Sequence, residues 1–395
     1  MCLTKVIPAL LPGIGLLVGL TACDGGTEPP PPPTTGTVRV VAHTGGLGLD
    51  LDGYTVHLDQ ASPQSLSGNG TIHFSNVAPG PHEVQFAGIA DNCSLAPAEL
   101  AVIVVAGDTS VVDLSILCHI DLHGRLVFMS EAYNGLSQLL AMYPDGTGRY
   151  RLFVDQYLNS EPAIFPGGSA LVYSSFRGSA VHLFRFDVAT GAVTPLPHLG
   201  AMEFGPAVSP DGTRIAFEVM AADQAIRIWV MGANGENPTA LTTGPVSELS
   251  DIAPAWSPDG QWIVFSRTGT LHLIHPDGTM LNPIPCSPGP CNHPSWSPDG
   301  SSLAYTGLSD DSGDGIGDNY DIYVMNLGSG VAQRLTTSPD QEDSPRWSPD
   351  GSAISYQRVL GNRIQLFRMQ ADGSGAVNLT NQPVSEGQAA WGPVP

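Results

Sequence analysis

Lysine is almost missing from this chain, and charge of either sign is scarce. The only lysine is Lys5, so the rest of the chain has no lysine that could act as a Schiff-base former or general base. Charged residues make up 13% of the chain, whereas 46 glycines and 35 prolines are present. This composition argues against a helical or disordered chain and predicts a turn-rich β protein.

Acidic residues outnumber basic residues by 37 to 15, and the formal net charge is −22. A field of that sign repels nucleic acid and anionic membrane surfaces and favours cations or basic partners. Catalytic motifs are also missing, because the sequence contains no G-x-S-x-G, no H-E-x-x-H and no phosphate-binding glycine loop. We therefore predict no nucleic-acid partner, no catalytic residues and no enzymatic activity.

The N-terminus has the pattern of an export signal. A basic start is followed by an apolar stretch from Val6 to Leu20, which is too short for an ordinary membrane span. The next residues, Leu20-Thr-Ala-Cys23, resemble a bacterial lipoprotein lipobox. The resemblance implies a signal peptide over residues 1–22 and a lipid anchor on Cys23, with the protein facing the periplasm or exterior of the cell envelope. The alternative is an ordinary signal peptide cut after Ala22.

Residues 23–36 contain five consecutive prolines and predict a semi-rigid spacer. Four cysteines lie beyond it, an even number in an oxidising compartment. Their proximity in sequence predicts the disulfides Cys93–Cys118 and Cys286–Cys291. A metal site built from all four cysteines is disfavoured because they lack paired C-x-x-C spacing.

Residues 37–118 contain six strand-like runs separated by turn clusters, which predicts a small β-sandwich. The segment Val77-Ala-Pro-Gly-Pro-His-Glu-Val84 resembles the PEGA-like and carboxypeptidase-regulatory-like modules of bacterial surface proteins. That resemblance implies a spacer or stalk.

The remainder of the chain, residues 119–395, is repetitive. The unit Pro254-Ala-Trp-Ser-Pro-Asp-Gly-Gln-Trp-Ile-Val-Phe265 recurs in register, and its turn prolines lie 44, 48, 40 and 51 residues apart. Such a period matches four short strands per propeller blade, and counting units gives six blades. The first unit lacks its opening strand, whereas Gln388–Pro393 matches such a strand. We therefore expect the C-terminal strand to close the ring.

These Trp-Ser-Pro-Asp-Gly units resemble the repeat of TolB-type propellers, which also occurs in dipeptidyl-peptidase-like proteases. The α/β domain that precedes the TolB propeller is replaced here by the predicted sandwich. Membership of a Tol-Pal complex is therefore not implied, and neither is proteolysis.

An acidic insertion in the fifth blade resembles calcium loops of EF-hands, dockerins and thrombospondin type 3 repeats. Its oxygen ligands would fall at positions 1, 3, 5, 7, 9 and 12 of the loop, with a glycine at the sharp turn. These positions correspond to Asp310, Ser312, Asp314, the Ile316 carbonyl, Asp318 and Asp321. The resemblance implies a structural Ca²⁺ site, and the alternative is a solvated acidic hairpin.

The sequence favours the first of two functions, and the second is the alternative. In the first, a monomeric scaffold lipoprotein holds a protein, peptide or glycan of the envelope on its propeller. In the second, an extracytoplasmic hydrolase or lyase acts on a glycan or polyanionic substrate. Two or three histidines with carboxylates in the central channel would favour the enzyme, whereas backbone and small residues would favour binding.

Overall fold

The structure is a computed structural model that describes residues 32–48, 53–90, 92–96, 100–133, 135–199, 202–244, 250–287, 289–310 and 319–394. The predicted signal peptide, the predicted lipidation site Cys23 and residues 311–318 of the acidic loop lie outside these ranges. The described residues form strands and turns only. None of them belongs to a helix long and apolar enough to cross a membrane.

The first eight strands form two four-stranded sheets with strand orders β4-β1-β8-β6 and β3-β2-β5-β7. Their bounds are β1 Gly36–Gly46, β2 Tyr54–Leu58, β3 Gln64–Leu66, β4 Thr71–Val77, β5 Gly80–Ala87, β6 Cys93–Ala96, β7 Leu100–Val104 and β8 Thr109–Cys118. Alternate apolar residues of both sheets enter one shared core, for example Val40 and Leu114 of one sheet and Val56 of the other. This arrangement is the predicted β-sandwich.

Six further four-stranded antiparallel sheets follow, and they are the blades of a propeller. Blade 1 contains β9 Leu126–Tyr133, β10 Leu136–Met142 and β11 Tyr150–Arg151. Blade 2 contains β12 Leu158–Ile164, β13 Ala170–Arg177, β14 Ala180–Asp187 and β15 Val193–Pro195. Blade 3 contains β16 Met202–Val208, β17 Arg214–Met220, β18 Ile226–Gly232 and β19 Thr239–Ala240.

Blade 4 contains β20 Asp251–Trp256, β21 Ile263–Arg267, β22 Thr270–Ile274 and β23 Asn282–Ile284. Blade 5 contains β24 Cys291–Trp296, β25 Ser302–Ser309, β26 Asn319–Asn326 and β27 Ala332–Arg334. Blade 6 contains β28 Glu342–Trp347, β29 Ala353–Leu360, β30 Arg363–Gln370 and β31 Val377–Asn378. The predicted six-bladed propeller is therefore confirmed.

The last strand, β32 (Glu386–Trp391), closes the ring. It pairs antiparallel with β9, and Trp391 lies opposite Leu126 in the register. Blade 1 thus takes three strands from the start of the propeller and its innermost strand from the end, as the repeat pattern predicted. Apolar cores between neighbouring blades hold the ring together. Between blades 2 and 3, for example, Val172 packs in one cluster with Ile215 and Phe217.

Candidate functional site: the central channel

Six strands surround the propeller axis, one from each blade. These inner strands are β12, β16, β20, β24, β28 and β32, and each is a terminal strand of its sheet. Residues from all six line one cavity of about 570 Å³, the central channel. A volume of this size falls within the range of pockets that hold ligands in proteins.

Every inner strand carries a β-bulge at the same place in the repeat. The register with the second strand of the blade shifts there, and one residue adopts a left-handed conformation with φ between 49° and 56°. These bulge residues are Glu161, Gly205, Ala253, His293, Ser344 and Gln388. All six line the channel. A β-bulge changes the direction in which a residue points. The fold therefore places one residue from each blade at the central channel, and the type of that residue differs between blades.

The Ser-Pro-Asp-Gly turn that follows the bulge recurs in blades 3 to 6 and builds the frame there. In blade 4 the Ser257 hydroxyl donates to Asp259 Oδ1 at 2.5 Å, and the same carboxylate accepts the Gln261 N–H at 3.0 Å. Gly260 has a φ of 69°, a conformation that glycine adopts at little cost. The Trp256 ring N–H crosses to blade 3 and donates to the Ala207 carbonyl at 3.1 Å. The repeat therefore fixes turn and blade contact and leaves the bulge residue free to vary.

Two glutamates occupy one side of the channel. Glu161 Oε2 accepts the Ser174 hydroxyl at 2.8 Å and the Gly205 N–H of the next blade at 3.0 Å. Glu218, on the second strand of blade 3, is 6% exposed and accepts the Ala253 N–H at 2.8 Å. Burial raises the pKa of Glu218 to about 8, and the nearby Glu161 carboxylate acts in the same direction. Glu218 is therefore protonated at neutral pH.

The other side of the channel contains a histidine and an aspartate in contact, together with an arginine. His293 Nδ1 and Asp343 Oδ1 are 2.7 Å apart, and Asp343 also accepts the Thr306 hydroxyl at 2.7 Å. Burial alone would raise the pKa of Asp343, but His293 and these hydrogen bonds lower it below its usual value. Burial also lowers the pKa of the Arg346 guanidinium, while Asp343, Glu161 and Glu218 oppose that shift. An ionised Asp343 and Arg346 give the channel mixed charge.

Apart from His293 Nδ1, which contacts the Asp343 carboxylate, two buried polar atoms on the channel wall have no hydrogen-bond partner in the described part of the chain. They are Trp347 Nε1 and Gln388 Oε1. The equivalent tryptophans of blades 1, 4 and 5 each donate to a backbone carbonyl of the neighbouring blade. A buried donor and a buried acceptor left without partners cost free energy unless water or a ligand satisfies them. The channel therefore offers hydrogen-bonding capacity to a guest.

The residue pattern of the channel matches neither of the two patterns expected from sequence. Its described lining includes a single histidine, His293, and not the two or three that would favour an enzyme. It is nevertheless more charged than a wall of backbone and small residues. Sequence reasoning missed Glu161, His293 and Ser344. The available signal was their position, since each directly precedes the proline that opens a repeat unit.

The structure contains both predicted disulfides. Cys93–Cys118 joins β6 to β8, where the two residues are directly opposite in the register. Cys286–Cys291 links the segment after β23 to the first residue of β24. The first disulfide lies in the sandwich, whereas Cys291 of the second is two residues before the bulge residue His293.

The predicted calcium ligands are described only in part, so the site remains a prediction. Asp310 and Asp321 are described, whereas Ser312, Asp314, Ile316 and Asp318 lie outside the described residues. Asp321 is fully buried, and its Oδ2 accepts the Arg334 guanidinium at 2.7 Å and the Ser309 hydroxyl at 2.5 Å. The residue predicted for position 12 of the loop is thus held within blade 5.

Comparison with known proteins agrees with this architecture. The family model for the TolB beta propeller domain matches residues 121–273 and 278–394. A protein TolB homolog from Chlorobium luteolum is 30% identical over 213 residues, which cover 53% of this chain and 46% of that protein. The Tol-Pal system protein TolB of Anaeromyxobacter dehalogenans is 32% identical over 123 residues, covering 31% and 27%. This chain therefore spans less than half the length of either relative.

A solved structure supports the fold. The crystal structure of TolB from Acinetobacter baumannii superposes with a TM-score of 0.57 at 21% identity. The superposition covers 69% of this chain and 68% of that one. At this identity the likeness concerns the architecture alone.

Proposed function

This chain belongs to the TolB β-propeller family, and from that premise we propose that it is a cell-envelope binding module whose central channel holds an extended segment of a protein partner. The observation that carries the proposal is the ring of six bulge residues. They occupy equivalent positions, differ in chemistry and line one shared cavity. Constant frames with variable residues at a shared cavity are how loop-built and repeat scaffolds recognise ligands.

The expected guest is a peptide segment with a basic side chain. Glu161 and Asp343 are acidic groups of the channel, and the chain as a whole has a net charge of −22, which attracts cationic partners. Trp347 Nε1 and Gln388 Oε1 supply a donor and an acceptor for the backbone of an extended segment. One relative is a Tol-Pal system protein by name, and an envelope protein is therefore the class of partner that we propose.

The test is site-specific photocrosslinking in the native cell, followed by binding measurements. A photoreactive residue at Ser344 should capture one discrete protein. The same residue at Val377, an exposed position on the outer strand of blade 6, should not capture it. Identical crosslinks from both positions would contradict binding in the channel.

A charge-neutral variant sharpens the test. Once the captured partner is known, its basic segment should bind the wild-type protein, and Glu161→Gln should weaken that binding by about tenfold, the loss of one charge-assisted contact. Glu236→Gln, at an exposed position of blade 3, is the matched control and should bind like wild type. Equal affinity for wild type and Glu161→Gln would refute the role of the channel carboxylate.

The lipid anchor is a separate part of the proposal. We propose that Cys23 carries lipid, and that residues 24–36 and the sandwich act as a stalk between membrane and propeller. Cys23→Ser should abolish incorporation of labelled fatty acid and release the protein from the membrane fraction. Continued membrane association of that variant would argue against the anchor while leaving the channel proposal intact.

A further inference from the structure

A second group of chemically capable side chains lies between blades 2 and 3. Three other blades have a buried ion pair at the equivalent place. Two residues before the bulge, the inner strands of blades 4, 6 and 1 carry the buried acids Asp251, Glu342 and Glu386. Each of these carboxylates pairs with an arginine of its own blade, namely Arg267, Arg358 and Arg149 respectively. A buried carboxylate needs such compensation.

Blade 3 has the acid but not the arginine. Glu203 occupies the equivalent position and is 2% exposed. The residue opposite it in the register is Val219, whereas Arg267 faces Asp251 and Arg358 faces Glu342 in their blades. Glu203 Oε1 accepts the Leu199 N–H at 2.9 Å, which leaves its charge without the guanidinium that the other blades provide.

Two histidines take the place of that arginine. His182, on β14 of blade 2, directs Nδ1 to Glu203 Oε2 in a close contact. His198, in the segment between β15 and β16, packs its ring on that of His182 with centroids 3.9 Å apart. The His198 ring makes no hydrogen bond to any described residue. One ligand atom from each of these three side chains lies within 4.8 Å of the others.

We propose that His182, His198 and Glu203 bind a divalent transition metal ion, with Zn²⁺ as the best fit. Two imidazoles and one carboxylate are a donor set that Zn²⁺ accepts, with water as the fourth ligand. Nitrogen ligands about 2.0–2.1 Å from a tetrahedral zinc lie about 3.4 Å from one another. Small side-chain rotations would therefore bring the three groups to ligand distance.

In blade 3 the ion would take the place of the arginine that pairs with the buried acid in blades 1, 4 and 6. It places positive charge beside a buried carboxylate, and it joins residues of two blades and their connecting segment. The site is separate from the central channel, because none of its three ligands lines that space. The rival arrangement is a simple ion pair of His182 with Glu203, without a metal ion and with His198 uninvolved.

Zinc titration of the full chain separates the two arrangements. The protein, purified without a polyhistidine tag and stripped with chelator, should bind one Zn²⁺ with a Kd below about 1 µM. His198→Ala removes an exposed side chain that is a ligand only in the zinc arrangement, so it should weaken binding by at least about 100-fold. Zinc should also raise the Tm of wild type and leave that of His198→Ala unchanged.

His73→Ala is the matched control, because it removes an exposed histidine of the sandwich and should bind zinc like wild type. Circular dichroism should show that His198→Ala keeps the β fold, so that a loss of binding reports a lost ligand. Absence of one-to-one binding in wild type would overturn the proposal. Equal zinc affinity of wild type and His198→Ala would also overturn it and leave the simple ion pair.

Discussion

The buried carboxyl group of Glu218 makes the stability of the propeller depend on pH in an unusual direction. Folding places this group against the Gly205 backbone, where burial raises its pKa from 4.5 to about 8. In the unfolded chain the same group ionises near its ordinary pKa. The folded state therefore holds a proton that the unfolded state releases, and the stability contribution is fully present below pH 4.5 and is lost as the pH rises towards 8.

The size of this effect follows from the shift. Each pH unit well between the two pKa values costs about 1.4 kcal/mol of unfolding free energy, and partial titration at both ends of the range reduces the loss between pH 5 and pH 8 to about 3–4 kcal/mol. Glu218→Gln keeps the shape and the acceptor for the Ala253 N–H but cannot ionise. We expect the variant to resemble wild type at pH 5 and to be more stable by about 3–4 kcal/mol at pH 8.

Urea unfolding of both proteins across this pH range measures the difference directly. Infrared spectroscopy provides an independent readout, because wild type at pH 7 should show the carbonyl band of a protonated carboxylic acid that Glu218→Gln lacks. The reasoning fails if the stability difference between the two proteins is the same at pH 5 and pH 8. It also fails if wild type gains stability relative to the variant as the pH rises.

Three further predictions concern the scaffold. Gly205→Ala should destabilise the protein by about 2 kcal/mol or more in urea unfolding, because a Cβ there would lie 2.4 Å from Glu218 Oε1 on a backbone with a φ of 56°. Replacing Cys93 and Cys118 together by serine should cost about 3 kcal/mol in the same assay, since the disulfide closes a separation of 25 residues. Calorimetry should detect Ca²⁺ binding that Asp314→Ala abolishes, if the acidic loop binds the ion as its sequence predicts.

Matched variants test these explanations. Gly361→Ala, with a similar φ but open space around the new Cβ, should cost only about 1 kcal/mol, and an equal cost at both glycines would argue against the clash. Replacing Cys286 and Cys291, which are separated by 5 residues, should cost less than replacing the longer disulfide. Absence of heat with Ca²⁺, or heat unchanged by Asp314→Ala, would contradict the calcium hypothesis.

Much of the fold could be predicted because its determinants are local. The Ser-Pro-Asp-Gly turns carry their own hydrogen bonds, as Ser257 and Asp259 show, and they recur at blade spacing. The closing strand was predictable because the first and last repeat units are complementary halves. Two short strands of the sandwich, β3 and β6, were missed because three or four residues are too few to show an alternating pattern.

The channel and the histidine cluster were harder to predict because their residues come from different blades. Glu218 reaches the channel from a second strand, where the sequence indicates only an interior strand position. His182 and Glu203 are 21 residues apart and meet only because blade 2 packs on blade 3. The bulge itself is visible in sequence as the residue before a repeated proline, but its left-handed conformation is not.

The pairing of β32 with β9 has a consequence for how the protein is made. The strand that completes blade 1 is translated after all five other blades, so the first blade keeps an open edge throughout synthesis. Native contacts between β32 and β9 span more than 250 residues, and loop closure over that length is slow compared with hairpin formation within a blade. Early folding intermediates should therefore be incomplete rings in which β9 has an unpaired edge. A chaperone that covers this edge would have its greatest effect just before β32 is synthesised.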